Sequence, residues 1–300
     1  MITAAQPAGP RLSALPQAPD DTILVGLIGH GIGLSRTPRM HEVEGAELGF
    51  RYVYRLFDVA GMGESPPSFG EILRAAELCG FAGLNVTYPY KKEAVSHLDD
   101  LADEARSVGA VNTIVLKDGR RVGHNTDLWG FSESFQREMA GVGRRTVLLL
   151  GAGGAGGAVA HGLLDNGVET LLVADTDTTR ARVLVQELTE RFGADRACIE
   201  LDVAAAASVA DGVVNATPIG MASCPGTPLS VDLLADRMWV ADIIYFPMET
   251  ELIRAARAKG CQTMVGSGMA VFQAVRAFEL FTGLRPDSDR MKATFDACNR

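Results

Sequence analysis

Residues 85–92, NVTYPYKK, place two lysines directly after a segment that reads as a buried strand. A lysine amine at the end of such a strand could exchange a proton with a substrate hydroxyl, which is general acid–base chemistry. Taken alone, Lys91 and Lys92 are more typical of a solvated helix start, because lysine is rarely buried. We expect Pro89 to end the strand and to begin a helix, with Lys91 directed into a cleft and Lys92 facing solvent.

A glycine-rich turn at residues 151–156, GAGGAG, follows the apolar segment TVLLL and precedes a helical one. Gly151, Gly153 and Gly156 fit the pattern GxGxxG. The first glycine permits a tight turn, the second lets the backbone approach a pyrophosphate, and the third allows close helix–strand packing. Free N–H groups at the start of the helix would then hold the phosphates. The pattern predicts a dinucleotide site, with the rest of its turn formed by Ala152, Gly154 and Ala155.

Asp175 ends the next apolar segment, TLLVAD, nineteen residues after Gly156. A carboxylate at this place can accept hydrogen bonds from both hydroxyls of a ribose and would repel a 2′-phosphate, so NAD is favoured over NADP. Arg180 argues in the opposite direction, because a nearby arginine can bind that phosphate. Alternatively, Asp175 only caps the turn that follows its strand.

The composition narrows the class of protein. The 300 residues are 47% hydrophobic and 22% charged, with a formal net charge of −9, which predicts a globular chain that does not bind nucleic acid. The five cysteines form no CxxC pair and the five histidines have no metal-ligand spacing, so we expect a cytoplasmic protein without a metal site. No apolar run reaches the roughly 20 residues of a membrane span. We predict a flexible tail at 1–20, which contains four prolines.

The order of predicted elements is that of a two-domain α/β protein. Strands and helices alternate between residues 22 and 126, with a β-hairpin at Asp118-Gly119, and the alternation restarts at TVLLLG. We therefore predict an N-terminal α/β substrate-binding domain with a mostly parallel sheet at 21–128, completed by C-terminal helices at 272–300. A Rossmann-like dinucleotide-binding domain is predicted at 129–271.

Seven short motifs follow one another along the chain: LSRTP, NVTYPYK, GAVNT, NTD, GAGGAGGA, NATPIGM and GMAVFQA. In this order they resemble the shikimate dehydrogenase family, and most of all its NAD-dependent quinate/shikimate dehydrogenase branch, over about residues 22–285. The resemblance implies a cytoplasmic oxidoreductase of aromatic-acid metabolism. It would transfer a hydride between NAD and a ring hydroxyl of quinate or shikimate, and would act as a monomer or homodimer without nucleic-acid or membrane partners.

The same resemblance implies roles for individual residues. Lys91 matches the family's catalytic lysine and Asp127 the aspartate paired with it. Ser35 and Thr37 match hydroxyls that bind the substrate carboxylate, and Tyr245 matches a tyrosine that borders it. The positions that bind ring hydroxyls are Thr87, Asn112 and Gln273, and further cofactor positions are Thr217 and Pro218, with Gly268 near the nicotinamide.

Several alternatives stay open. Asp127 could serve as the N-cap of the helix LWGFSESF, and Asn112 could bond the backbone at the start of a strand. Thr37 stands where shikimate-specific members usually have serine, which resembles the branch that also accepts quinate. Two further functions compete with the NAD-dependent enzyme: an NADP-dependent biosynthetic shikimate dehydrogenase, and a non-catalytic sensor of the same ligands. The presence of both Lys91 and Asp127 argues against the sensor.

Overall fold

The structure is a computed structural model that describes residues 22–298. The tail predicted at 1–20 lies outside the described residues. Within 22–298 the chain forms two six-stranded sheets, one largely and one entirely parallel, covered by helices. The predicted α/β class with mostly parallel sheets is therefore confirmed.

The first sheet has the strand order β2-β1-β3-β5-β6-β4. Its strands are β1 (Thr22–Gly29), β2 (Arg51–Asp58), β3 (Gly83–Val86), β4 (Asp100–Leu101), β5 (Thr113–Lys117) and β6 (Arg120–His124). Its helices are α1 (Thr37–Glu47), α2 (Phe69–Leu78) and α3 (Asp103–Val108). β1 is parallel to both of its neighbours, whereas β5 is antiparallel to β3 and β6. The predicted hairpin joins β5 to β6, and its turn residues Asp118 and Gly119 have φ of 52° and 72°, as a tight hairpin turn requires.

The second sheet is wholly parallel, with the order β9-β8-β7-β10-β11-β12. Its strands are β7 (Thr146–Leu150), β8 (Thr170–Ala174), β9 (Ala197–Ile199), β10 (Gly212–Asn215), β11 (Trp239–Asp242) and β12 (Gln262–Val265). The helices around it include α5 (Gly154–Asp165), α6 (Thr178–Phe192), α7 (Val203–Val209) and α8 (Glu251–Ala258). The strands are apolar because both faces are buried. This is the doubly wound Rossmann order, which places a ligand crevice between β7 and β10.

Three further helices are α4 (Thr126–Glu138), α9 (Ser267–Thr282) and α10 (Ser288–Ala297). The N-terminal end of α9 contributes Met269 to the core of the second sheet, and its C-terminal end contributes Phe278 and Phe281 to the core of the first. The predicted domain boundaries at 128/129 and 271/272 fall inside α4 and α9. The division into domains stays a prediction, because these two helices pack against each other and α9 contributes to both cores.

Candidate active site

Lys91 and Asp127 form an ion pair, with 2.5 Å between Lys91 Nζ and Asp127 Oδ2. Their side chains are only 19% and 11% exposed. Lys91 lies in the turn after β3, and its backbone carbonyl accepts a hydrogen bond of 2.8 Å from the Val111 N–H. The expectation that Pro89 begins a helix is wrong, because a 3₁₀ helix begins only at Glu93. Lys92 is exposed, as predicted.

The N-terminus of α4 positions Asp127. The N-cap is Asn125, whose Oδ1 accepts a hydrogen bond of 3.1 Å from Leu128 N–H, so the alternative that Asp127 caps this helix is wrong. Asn125 Nδ2 also donates to the Ala110 carbonyl at 2.9 Å. Asp127 therefore lies in the first turn, where the helix dipole favours a carboxylate. Sequence reasoning missed Asn125, although asparagine is a favoured N-cap.

The side chain of Lys91 reaches the glycine-rich turn of the second sheet. Its Cδ lies 3.7 Å from the position that a Cβ on Gly154 would take. Gly154 is the first residue of α5 and lies next to the open crevice of the doubly wound sheet. The structure thus brings an amine from the first sheet to the predicted dinucleotide site of the second.

Tyr245 lies in the loop after β11 and approaches the same ion pair. Burial raises the pKa of its phenol; Lys91 opposes this rise, Asp127 adds to it, and Arg36 opposes it. The hydroxyl is therefore within electrostatic range of all three charged groups, although the residue as a whole is 41% exposed. Its ring packs edge-on against Phe295 of α10, with 5.9 Å between centroids.

Ser35 and Thr37 lie where the loop after β1 enters α1. The Thr37 N–H donates to Ser35 Oγ at 3.4 Å. The loop is held by Asp58 at the end of β2, whose carboxylate accepts from the N–H groups of Gly31 at 2.8 Å and Ile32 at 2.9 Å. Sequence reasoning missed Asp58, and only its position at a strand end could have indicated it.

Asn112 joins the first sheet to α4. Its Oδ1 accepts a hydrogen bond of 2.7 Å from the Thr126 N–H, and its Nδ2 donates to Thr126 Oγ1 at 3.0 Å. Asn112 therefore bonds to the backbone, as the alternative interpretation stated. Its binding of a ring hydroxyl stays a prediction. Thr87 continues β3, with its N–H bonded to the Ile28 carbonyl at 3.0 Å. Gln273 lies on α9, where its Nε2 donates to the Ala270 carbonyl at 3.0 Å.

The glycine-rich turn has the geometry that GxGxxG requires. Gly151 has φ of 101°, and a Cβ there would lie 2.8 Å from the Ala216 carbonyl oxygen. A Cβ on Gly156 would overlap the Gly151 carbonyl oxygen, which explains the third glycine. A Cβ on Gly153 would meet nothing within 4 Å, so the backbone there is open to a ligand. Ala152 and Ala155 are partly exposed beside it.

Asp175 ties the end of β8 to this turn. Its Oδ2 accepts from the Ala152 N–H at 2.7 Å and its Oδ1 from the Asp177 N–H at 2.8 Å. Asp175 therefore caps the turn that follows its strand, as the alternative interpretation stated. Each of its carboxylate oxygens still has a second lone pair that can accept a hydrogen bond from a ribose hydroxyl. Arg180 is 65% exposed, and its Nε lies 3.3 Å from Asp177 Oδ2.

The other predicted cofactor positions lie just after β10 and in the first turn of α9. The Thr217 N–H and Oγ1 both donate to Asn215 Oδ1, at 2.9 and 2.7 Å, and Pro218 is exposed beside them. Gly268 is buried in the first turn of α9, where a Cβ would overlap Ser134 of α4. Close helix packing accounts for this glycine, and its contact with a nicotinamide stays a prediction.

Residues 22–298 contain neither a candidate metal site nor a candidate membrane-spanning helix. In that range, no group of three His, Cys, Asp or Glu side chains could hold a metal ion. None of the helices found there combines the length and the apolarity that crossing a bilayer needs.

Comparison with known proteins places the chain among relatives along nearly its whole length. Residues 27–114 match the family model described as the shikimate dehydrogenase substrate binding domain, and residues 266–294 match the shikimate 5'-dehydrogenase C-terminal domain. The chain is 51% identical over 282 residues to the shikimate dehydrogenase (NADP(+)) of Streptomyces avermitilis, covering 91% of this chain and 94% of the relative. It is 47% identical over 279 residues to the quinate/shikimate dehydrogenase (NAD(+)) of Corynebacterium efficiens, covering 92% and 98%.

The fold is similar to a solved structure, the quinate dehydrogenase of Corynebacterium glutamicum in complex with NAD. The TM-score is 0.89 at 45% identity, with 93% of this chain and 100% of that chain covered. Sequence and structure agree on one assignment, which confirms the resemblance of the motifs: the chain belongs to the shikimate dehydrogenase family.

Proposed function

We propose that the protein is an NAD-dependent quinate/shikimate dehydrogenase. It interconverts the ring alcohol of quinate or shikimate with the ketone of 3-dehydroquinate or 3-dehydroshikimate. The observation that carries this proposal is the Lys91–Asp127 pair, which lies against the first turn of α5 beside the glycine-rich turn. An amine at this place can act on a hydroxyl whose carbon faces the nucleotide crevice.

The residues of the second sheet fit a dinucleotide. The open backbone at Gly153 and the free N–H groups at the start of α5 suit a pyrophosphate. The Asp175 carboxylate at the tip of β8 suits a ribose diol. When bound, NAD supplies the acceptor for the hydride. The preference for NAD rests on the negative charge of Asp175, which repels a 2′-phosphate, and on the Asp177 carboxylate, which pairs with the Arg180 guanidinium.

The proton is transferred by Lys91, which follows β3 of the first sheet. In the oxidation, the hydride leaves the ring carbon with both electrons of the C–H bond, and deprotonated Lys91 accepts the hydroxyl proton, which leaves a ketone. In the reduction, protonated Lys91 donates its proton to the developing alkoxide. Asp127, whose Oδ2 lies 2.5 Å from Lys91 Nζ, orients the amine in both the oxidation and the reduction.

The remaining polar residues suit a polyhydroxylated ring acid. Ser35 and Thr37 offer hydroxyls for the carboxylate, and Thr87, Asn112 and Gln273 offer hydroxyl and amide groups that can both donate and accept. We propose these five as substrate-binding residues, with Tyr245 bordering the carboxylate. The threonine at position 37 supports acceptance of quinate as well as shikimate.

A second candidate is an NADP-dependent shikimate dehydrogenase, because the relative from Streptomyces avermitilis bears that name. A steady-state assay that crosses quinate and shikimate with NAD and NADP separates the two. We expect kcat/KM with NAD to exceed that with NADP by about tenfold or more, a difference of about 1.4 kcal/mol or more. Turnover with NADP alone would refute the role of Asp175, and turnover of neither acid would favour the non-catalytic sensor.

We further propose that the protein works in the cytoplasm, as a monomer or homodimer without a nucleic-acid partner. All five cysteines are free thiols, which supports a reducing compartment. The net charge of −9 opposes binding to a phosphate backbone. Light scattering on the purified protein would measure its assembly, and a trimer or larger species would contradict this proposal.

A further inference from the structure

Arg36 occupies an unusual place for an arginine. It stands between Ser35 and Thr37, the two hydroxyls proposed to bind the substrate carboxylate, and it is only 9% exposed. Its backbone provides the N-cap position of α1 without a capping side chain. The side chain extends away from the first sheet, toward the loop that follows β11 of the second.

The contacts of the Arg36 guanidinium join three parts of the molecule. Its Cζ lies 4.8 Å from the centroid of the Phe295 ring in α10 and 5.8 Å from that of Phe246 in the loop after β11. Its Nη1 lies 3.9 Å from Met248 Sδ in the same loop and 3.5 Å from the Phe295 carbonyl oxygen. A planar guanidinium can pack against two aromatic rings, which a lysine ammonium does less well.

We call residues 243–249 the tyrosine loop, because it carries Tyr245. Its base is fixed in the second sheet by Asp242, which is fully buried. Asp242 Oδ1 accepts from Asn215 Nδ2 and from the Ile244 N–H, both at 3.1 Å, and its Oδ2 accepts from Thr250 Oγ1 at 2.7 Å. Both ends of the loop are thus anchored beside the second sheet, while its middle contacts Arg36 and Phe295.

Arg36 and Phe295 form the surface on which the tyrosine loop rests. Phe246 and Met248 contact the guanidinium, and Tyr245 packs on the Phe295 ring. Burial raises the pKa of Tyr245, and Arg36 is among the charges that oppose this rise. A carboxylate bound by Ser35 and Thr37 would therefore lie beside both the cation and the loop.

We propose that Arg36 is a positioning residue that docks the tyrosine loop over the carboxylate subsite. Through it, binding of the substrate carboxylate is coupled to closure of the second sheet over the first. This proposal rests on the proposed function, since it takes the acid bound by Ser35 and Thr37 as the trigger. It assigns Arg36 a role in acid binding and in closure, and none in proton transfer.

The test compares Arg36→Met with Phe246→Leu, which removes the ring on the loop side and leaves the charge intact. Phe246 is 50% exposed, so its replacement leaves the core unchanged. We expect each variant to raise KM for quinate by about 10–100-fold, with a smaller change in kcat and an unchanged KM for NAD. The KM for quinate of the double variant should be no higher than that of Arg36→Met alone, because both substitutions break the same contact between Arg36 and Phe246. Arg39→Met, an exposed arginine on the same helix, is the matched control and should behave as wild type.

Hydrogen–deuterium exchange supplies a readout that does not depend on turnover. Quinate should slow exchange at residues 243–249 in wild type and in Arg39→Met, and much less so in Arg36→Met. Arg36→Lys, which retains the charge, should recover only part of this protection. Equal protection in wild type and Arg36→Met, or additive effects of the two substitutions on KM, would overturn the proposal. Absence of wild-type turnover with quinate would refute the proposed function instead, because exchange still reports whether the acid closes the loop.

Discussion

Gly130 lies where α4 packs closely against the backbone of α9, and its replacement by alanine tests how these helices position the site. A Cβ on Gly130 would lie 2.6 Å from the Gln273 backbone nitrogen and 2.8 Å from the Met269 carbonyl oxygen. Favourable contacts between such atoms begin at about 3.5 Å. Because both neighbours are backbone atoms, no side-chain rotation relieves the overlap, and α9 must move away by roughly 1 Å.

The effects on stability and on activity should differ in size. Overpacking of this kind costs about 1–3 kcal/mol, whereas alanine is favoured over glycine inside a helix by about 1 kcal/mol. The free energy of unfolding should therefore fall by only about 0–2 kcal/mol. A displacement of about 1 Å of the Gln273 side chain can reduce turnover by on the order of 10²-fold. We thus expect a folded Gly130→Ala protein with a loss in kcat/KM for quinate of about 10–10²-fold.

Two measurements check this prediction: urea unfolding followed by circular dichroism, and steady-state oxidation of quinate with NAD. Gly61→Ala is the control, since a Cβ on Gly61 would meet nothing within 4 Å, and it should alter neither quantity. The KM for quinate should rise in Gly130→Ala while that for NAD stays unchanged. Wild-type kcat/KM in a folded Gly130→Ala protein would falsify the claim that the contact between α4 and α9 sets the position of Gln273.

Three other predictions concern the proton, the cofactor and the core. Lys91→Met, which retains most of the aliphatic stem, should lower kcat by about 10²–10⁴-fold with unchanged NAD affinity by calorimetry; preserved turnover would remove the general-base role. Asp175→Ala combined with Thr176→Arg should lower the ratio of kcat/KM for NAD to that for NADP by about 10-fold or more, since hydrogen bonds to charged groups contribute about 1.5–3 kcal/mol; an unchanged ratio would contradict the ribose contact. Burial lowers the pKa of His41 from 6.5 to about 3, so the unfolded chain binds a proton that the folded chain does not. Its stabilising contribution should be complete above pH 6.5 and should fall by about 1.4 kcal/mol per unit below it. Urea titrations should show a smaller loss between pH 6.5 and pH 4 in His41→Phe than in wild type, and equal losses would exclude His41 as the cause.

The second sheet was predictable because its signals are local. The glycine-rich turn, the apolar strand before it and the acidic residue at the tip of β8 all lie within about 30 residues, and each reports its own geometry. The hairpin at Asp118-Gly119 was predictable for the same reason, since the turn residues alone select it. Motifs of this kind need no knowledge of distant contacts.

The start of α4 shows where local signals become ambiguous. The segment NTD offers three residues, and both Asn125 and Asp127 are good N-caps. The contact between Asn125 and the Ala110 carbonyl decides between them, and that contact depends on tertiary structure. The expectation that Pro89 begins a helix was wrong because proline at a helix start is a weak signal, and the 3₁₀ helix begins only at Glu93.

The contacts across the cleft could not be predicted from spacing. Arg36 and Met248 are 212 residues apart in sequence, and neither belongs to a pattern that indicates the other. The order of strands in the first sheet, in which β4 lies at the edge beyond β6, likewise has no local signal. Resemblance to a family provided the pairing of Lys91 with Asp127, which the residue types alone would not have assigned.

The course of α9 has a consequence for how the chain is made. Phe278 and Phe281 fill the core beside β1 and β2, yet they leave the ribosome long after those strands, since β2 already ends at Asp58. All strands of the second sheet lie in one continuous stretch of chain, from Thr146 to Val265, which leaves the ribosome before α9 does. During synthesis the nucleotide-binding half can therefore assemble first, while the half that carries Lys91 waits, with one apolar face uncovered, for the last helices to arrive.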